Sequence, residues 1–134
     1  MEFEFIDRVP TVSEYLKLRE SVGWHALPSK AVEIGLARSL YSVCIQLGEE
    51  SVGCGRIVGD AGIYFYVQDV IVRPQYQQRG LGTQIMEKLM GYVGATAQSG
   101  AFIGLMTAPG LEGFYGRFGF NCFPADSPGM LIWK

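Results

Sequence analysis

"IYFYVQDVIVRPQYQQRGLGTQIMEKL", residues 63–89, decides the fold. Residues 63–72 are almost continuously β-branched or aromatic, as a strand covered on both faces at the centre of a sheet requires. Arg73-Pro74 ends that run, and the glycine turn Gly80-Leu81-Gly82 follows. From there Leu81, Ile85, Leu89, Tyr92 and Val93 recur at helical spacing, so an amphipathic helix lies back on the sheet and should end near Gly94. The next apolar run, "AFIGLMTA" (101–108), follows a helix of crossover length and is expected to pair parallel to the central strand.

Upstream, "EFEFID" (2–7) alternates polar and apolar residues and reads as a half-buried strand. Thr11 and Glu14 have the spacing of a capping box, and Tyr15, Leu18 and Val22 continue a short helix to about Gly23. Pro28 and Ser29 open a second helix carrying Val32, Ile34, Leu36 and Leu40. "YSVCIQL" (41–47) and "ESVGCGRIVGD" (50–60) flank a glycine-containing turn and form a hairpin. Downstream, "PGLEGFYGRFGF" (109–120) suits a short helix, while "FNCF" and "GMLIWK" are expected to be terminal strands joined across "PADSPG". The order β, α, α, β, β, β, α, β, α, β, β predicts an α/β (α+β) fold. Its sheet is mixed, mostly antiparallel and of six to seven strands, with helices on both faces, in one domain over 1–134.

Composition narrows the function. Apolar residues are 49% of the 134 and charged ones 18%, which excludes disorder, and no run approaches the roughly 20 apolar residues of a membrane span. The start, "MEFEFIDRVP", resembles neither a signal nor a transit peptide, so a cytoplasmic location is expected. Eleven basic against thirteen acidic side chains, with no block of like charge, make nucleic acid a poor partner. Cys44, Cys54 and Cys122 form no Cys-x-x-Cys pair, and one histidine leaves a metal short of ligands, so no metal is expected. If Cys44 and Cys54 are neighbours on paired strands, they should be reduced and buried.

A glycine at a helix start lets backbone approach a ligand, and the free first-turn N–H groups favour an anion. Gly80-Leu81-Gly82-Thr83-Gln84-Ile85 lacks the third glycine of the dinucleotide fingerprint, and no Gly-Lys-Ser/Thr follows. What fits is Gln/Arg-x-x-Gly-x-Gly/Ala, present as Gln77-Gln78-Arg79-Gly80-Leu81-Gly82 directly after a buried strand. With "GFYGRFGF" (113–120) about 35 residues on, in the form Phe-Tyr-x-x-x-Gly-Phe, the chain resembles the GNAT superfamily of N-acetyltransferases over most of its length.

That resemblance implies that backbone N–H groups of Gln77, Gln78, Arg79, Gly80, Leu81, Gly82 and Thr83 cradle the pyrophosphate of acetyl-CoA. It also implies that main chain at Val70, Ile71 and Val72 holds the pantetheine arm, whatever their side chains pack against. Tyr115 matches the tyrosine that protonates the departing thiolate. A phenol of pKa about 10 and a thiol of about 8.5 differ by roughly 2 kcal/mol, which positioning can cover; the competing reading is an aromatic core residue. Asp69, an acid inside an apolar strand, matches a base or amine anchor or else a buried hydrogen-bonding group. Trp24 and His25 fall in the loop that borders the acceptor in this family. Trp24 could stack on a cationic or aromatic amine, or close the core, and His25 could relay a proton or simply face solvent. Arg79 could neutralise phosphate, and Arg56 could be a strand-face charge. Where many members carry an asparagine after the fifth strand, this chain reads Met106-Thr107-Ala108-Pro109-Gly110.

The expectation is therefore an acetyl-CoA-dependent N-acetyltransferase in which a small-molecule primary amine attacks the thioester directly, with no covalent enzyme intermediate. A non-catalytic acyl-CoA-binding or sensing module is the alternative, and a dimerising scaffold a third; a homodimer fits any of them.

Overall fold

The computed structural model describes residues 2–134. Strand β1 (Phe3–Ile6) leads into α1 (Val12–Ser21), which starts at the capping box read from the sequence. Thr11 Oγ1 accepts from Glu14 N at 3.1 Å, and Glu14 Oε1 accepts from Thr11 N at 2.8 Å. Arg8 donates to the same carboxylate at 2.8 Å and holds the Glu14 carboxyl below its usual range. Helix α2 (Ser29–Ala37), the hairpin β2 (Tyr41–Leu47) and β3 (Glu50–Gly59), and β4 (Tyr64–Val72) follow. A 3₁₀ turn (Pro74–Tyr76), α3 (Leu81–Thr96), β5 (Phe102–Gly104) and α4 (Glu112–Gly116) complete the order. The sheet runs β1-β2-β3-β4-β5, antiparallel except for the β4–β5 pair.

Helix α3 covers one face. Leu81, Ile85, Met86, Leu89 and Val93 bury their apolar stripe against Val43, Ile45, Val52, Ile57, Phe65 and Val67. Each such side chain contributes about 1.5–3 kcal/mol on leaving water. The contact is close because β3 has no side chain at Gly55, where a Cβ would stand 2.5 Å from Ile85 Cγ2. Helices α1 and α2 cover the other face, with Leu18 against Cys54 and Ile71, and Tyr15 against Val32 and Leu36.

The feature that shapes the site lies inside β4. Arg56 pairs with Gln68 and Cys54 with Ile71, so Asp69 and Val70 together oppose the single residue Gly55. This is a β-bulge, and Asp69 takes the extra turn at φ 57°. An inserted residue reverses the alternation beyond it. Phe65 and Val67 face α3 before the bulge, Val70 and Val72 pack on that same side after it, and Ile71 faces α1. The side chain of Asp69 is thereby sent to the α1 face, 4% exposed.

Strand β5 pairs only with Tyr64, Phe65 and Tyr66 and ends at Gly104, so the β5-facing edge of β4 has no strand partner from Val67 onward. The expected six to seven strands are thus five. The run 101–108 yields a strand over three residues, which pairs with β4 only as far as Tyr66 opposite Gly104. "FNCF" and "GMLIWK" form no strands: residues 121–134 are exposed, and Pro124 and Pro128 supply no ladder N–H between the two runs. Helix α3 continues past Gly94 to Thr96, a glycine there being tolerated by a helix already anchored by its apolar stripe. Among the described residues no helix is long and apolar enough to cross a membrane.

Cys44 and Cys54 are direct register partners, both buried free thiols. Their hydrogens point apart: Cys44 donates to Arg8 O at 3.4 Å and Cys54 to Asp69 O at 3.3 Å. Burial pushes the Cys44 thiol up to about 11 and that of Cys54 well above its ordinary value. Cys122 is exposed.

Candidate active site

The turn into α3 is built from two left-handed residues, Gln78 at φ 63° and Gly80 at φ 79°. Nothing lies within 4 Å of a Cβ added at Gly80, so glycine is needed there for its dihedral and not for space. No side chain caps α3. The first-turn N–H groups of Leu81, Gly82 and Thr83 therefore have no intrahelical acceptor and sit at the positive end of a sixteen-residue helix. Gln77 ties the turn back to β4, its Nε2 donating to Val72 O at 2.9 Å. Gln78, a non-glycine residue held at positive φ, is the strained member of the turn.

Helix α4 docks on this turn. Phe114 Cζ lies 3.6 Å from the Cβ position of Gly82, and Arg117 Nη2 donates to Thr83 Oγ1 at 3.0 Å. The Arg117 guanidinium lies over Phe114 at 5.4 Å and Phe118 at 5.8 Å, and that of Arg79 over Tyr76 at 5.7 Å. Free N–H donors and two nearby guanidiniums form a set of the kind that binds phosphate. Arg117 was not among the residues picked from the sequence, although it lies two residues beyond Tyr115 in the aromatic string. Arg117→Ala is expected to raise the KM for acetyl-CoA roughly two- to fivefold, as for an exposed ion pair, and to flatten its dependence on salt. Steady-state kinetics over a range of ionic strength checks this, and an unchanged KM at low salt would remove Arg117 from the site.

Tyr115 sits half-buried on α4, its ring edge-on to Phe114 at 5.0 Å and to Phe120 at 6.5 Å. Burial raises its phenol above 10, so the O–H stays protonated throughout the neutral range. No hydrogen bond from this hydroxyl is found among the described residues, which leaves the proton available to a ligand. The core packing and the free O–H coexist: the ring serves one and the tip the other.

On the other side of β4, Asp69 is enclosed. Its Oδ2 accepts from Arg56 Nε at 2.6 Å, while Oδ1 lies 3.9 Å from Arg19 Nη1 and receives no hydrogen bond. Arg56 reaches on to Gly35 O and Ser39 Oγ at the end of α2, so this half-buried strand-face charge is a connector between β3, β4 and α2. Arg19 donates to His25 O through Nε (3.2 Å) and Nη2 (2.9 Å), touches Tyr15 Oη at 3.3 Å and lies over the Trp24 ring at 5.4 Å. Trp24 is 41% exposed, and the His25 ring meets Trp133 edge-on at 5.5 Å. Neither Arg19 nor this cluster was legible in the sequence. Thr107 spends its hydroxyl on the adjacent Ala108 O, at 2.9 Å.

The sequence-picked residues thus form two groups. Gln77 to Thr83 and Tyr115 stand together at the start of α3; Asp69, Trp24 and His25 are joined through Arg19; and the open edge at Val70, Ile71 and Val72 lies between. A concavity of about 630 Å³ bordered by Ser13, Lys17, Glu50 and Arg73 contains none of these residues. It is a groove beside the β2–β3 turn.

Residues 38–122 match the family model of the acetyltransferase (GNAT) domain. The chain belongs to the GNAT family. This GNAT protein is 33% identical over 122 residues to the uncharacterized N-acetyltransferase ycf52 of Porphyra purpurea, covering 88% of this chain and 69% of that one. It shares 34% identity over 83 residues with serotonin N-acetyltransferase 2, chloroplastic, of Oryza sativa subsp. japonica, covering 62% of this chain and 40% of the rice protein. A crystal structure from methicillin-resistant Staphylococcus aureus, described as a protein of unknown function and probable acetyltransferase, superposes with a TM-score of 0.94. It has 29% identity, over 99% of this chain and 100% of that one. The GNAT chain is accordingly an acetyl-CoA-dependent N-acetyltransferase, and its donor set fits the pyrophosphate of that co-substrate. Among the described residues no group of His, Cys, Asp or Glu is arranged to hold a metal ion.

Proposed function

We propose that residues 1–134 act as one domain, in the cytoplasm, that moves the acetyl group of acetyl-CoA to the primary amine of a small-molecule acceptor by direct attack in a ternary complex. The observation that carries this reading is the unpartnered edge of β4 between an N–H-rich helix start and the Trp24–His25 loop. In this reading the N–H groups of Gln77 to Thr83, with Arg79 and Arg117, bind the pyrophosphate. The main chain of Val70 to Val72 holds the pantetheine arm, and a free N–H on that edge polarises the thioester carbonyl. Tyr115 donates its proton to the departing sulfur.

Asp69 has one carboxylate oxygen committed to Arg56 and is almost wholly enclosed, which supports a role in holding the bulge over one as base or amine anchor. An alkylammonium at pH 7 must lose its proton at a cost of roughly 4–5 kcal/mol before attack. In this reading His25, which is exposed, passes that proton to solvent. The buried, raised thiols of Cys44 and Cys54 and the position of Cys122 in the tail argue against a cysteine acyl intermediate. The exposed ring of Trp24 and the likeness to the rice serotonin N-acetyltransferase favour an amine bearing an aromatic ring.

The test is thiol release from acetyl-CoA with a panel of arylalkylamines, polyamines and amino sugars. Turnover with arylalkylamines is expected. Thermal stabilisation by acetyl-CoA without turnover on any amine would replace this reading by the acyl-CoA-sensing one.

A further inference from the structure

Two guanidiniums converge on the one carboxylate of the β4 bulge, and each continues to a different part of the α1–α2 cap. Arg56 joins Asp69 to the C-terminal end of α2 through Gly35 O and Ser39 Oγ. Arg19, 8% exposed, faces Asp69 Oδ1 and grips the His25 carbonyl with two N–H groups while its plane lies over Trp24. The bulge at Asp69 also lies within the open edge of β4, which begins at Val67. One rigid, planar side chain therefore connects the backbone that lines the acetyl-CoA cleft with the loop assigned to the acceptor.

We propose that Arg19 is a positioning residue that couples occupancy of the acetyl-CoA cleft to the order of the Trp24–His25 loop, so that the acceptor side is completed only once the co-substrate lies on β4. The proposal rests on the cleft and loop assignments made above. Its physical basis is the planar guanidinium fork, which can hold a carbonyl with two bonds and face a carboxylate with its third nitrogen. An ammonium at the same place keeps the charge opposite Asp69 and loses the two-pronged grip. Such coupling is reciprocal, so acceptor binding should in turn tighten acetyl-CoA.

Hydrogen–deuterium exchange of the full chain, with and without acetyl-CoA, tests this in segments 23–28 and 77–83. In the wild type, acetyl-CoA is expected to slow exchange about fivefold or more in both segments. In Arg19→Lys the slowing at 77–83 should persist and that at 23–28 should be lost; if Arg19→Lys does not fold, Arg19→Gln carries the same expectation. Protection of 77–83 alone in the wild type, or of both segments in the variant, would overturn the coupling and leave the cleft standing. Protection of neither segment in the wild type would show that the cleft assignment is wrong, and the coupling falls with it.

Discussion

Replacing Tyr115 by Phe is expected to lower kcat by about 10²- to 10⁴-fold while the dissociation constant of acetyl-CoA changes by less than about twofold. The ring fills its place among Phe114 and Phe120 in either case, so only the hydroxyl is lost. Because burial raises the phenol above 10, its acidity moves further from that of the thiol, so in the proposed role Tyr115 acts by its position and not by its strength as an acid. The pH dependence follows from the sign of that shift. As the proposed donor Tyr115 is competent while protonated and fails only above pH 10, so an alkaline limb in kcat at lower pH belongs to another group and persists in the variant. Calorimetric titration with acetyl-CoA and a pH–rate profile check both statements, and a Phe variant retaining more than about a tenth of wild-type kcat would exclude Tyr115 as the proton donor.

Asp69→Asn is expected to destabilise the fold by about 3–5 kcal/mol, because it leaves Arg56 and Arg19 in the interior without their anion. For a domain of this size that is a fall in Tm of roughly 10–25 °C. Asparagine is the informative substitution, since it keeps the shape and accepts the left-handed backbone at this position, so that charge alone changes. Differential scanning calorimetry decides the matter. A Tm within about 5 °C of the wild type combined with a large loss of kcat would return Asp69 to the role of base.

The two residues also show what a sequence can and cannot carry. Tyr115 stands in a short string whose order is itself the signal, and the glycine turn likewise depends on neighbours in the chain. The capping box of α1 was readable for the same reason: Thr11 and Glu14 are three residues apart and answer each other. The bulge was not. In a run as uniformly apolar as 63–72, one inserted residue changes which face each side chain meets without changing the pattern that would reveal it. Arg19 and Arg56 lie 50 and 13 residues from Asp69, and nothing local marks them as its partners. The tail misled in the opposite direction. "GMLIWK" has the composition of a strand, but strand propensity supplies no neighbour to pair with, and Met130, Ile132 and Trp133 remain more than three-quarters exposed.

The three thiols make the molecule a clock for its own opening. Cys122 lies on the surface, whereas Cys44 and Cys54 are sealed on the α1 face of the sheet with raised ionisation, so an aromatic disulfide reagent should titrate one equivalent at once and the other two only as α1 lifts away. The slow phase would measure how often α1 comes away from the strands behind it, and the fast thiol offers a place for a dye that leaves the sheet untouched.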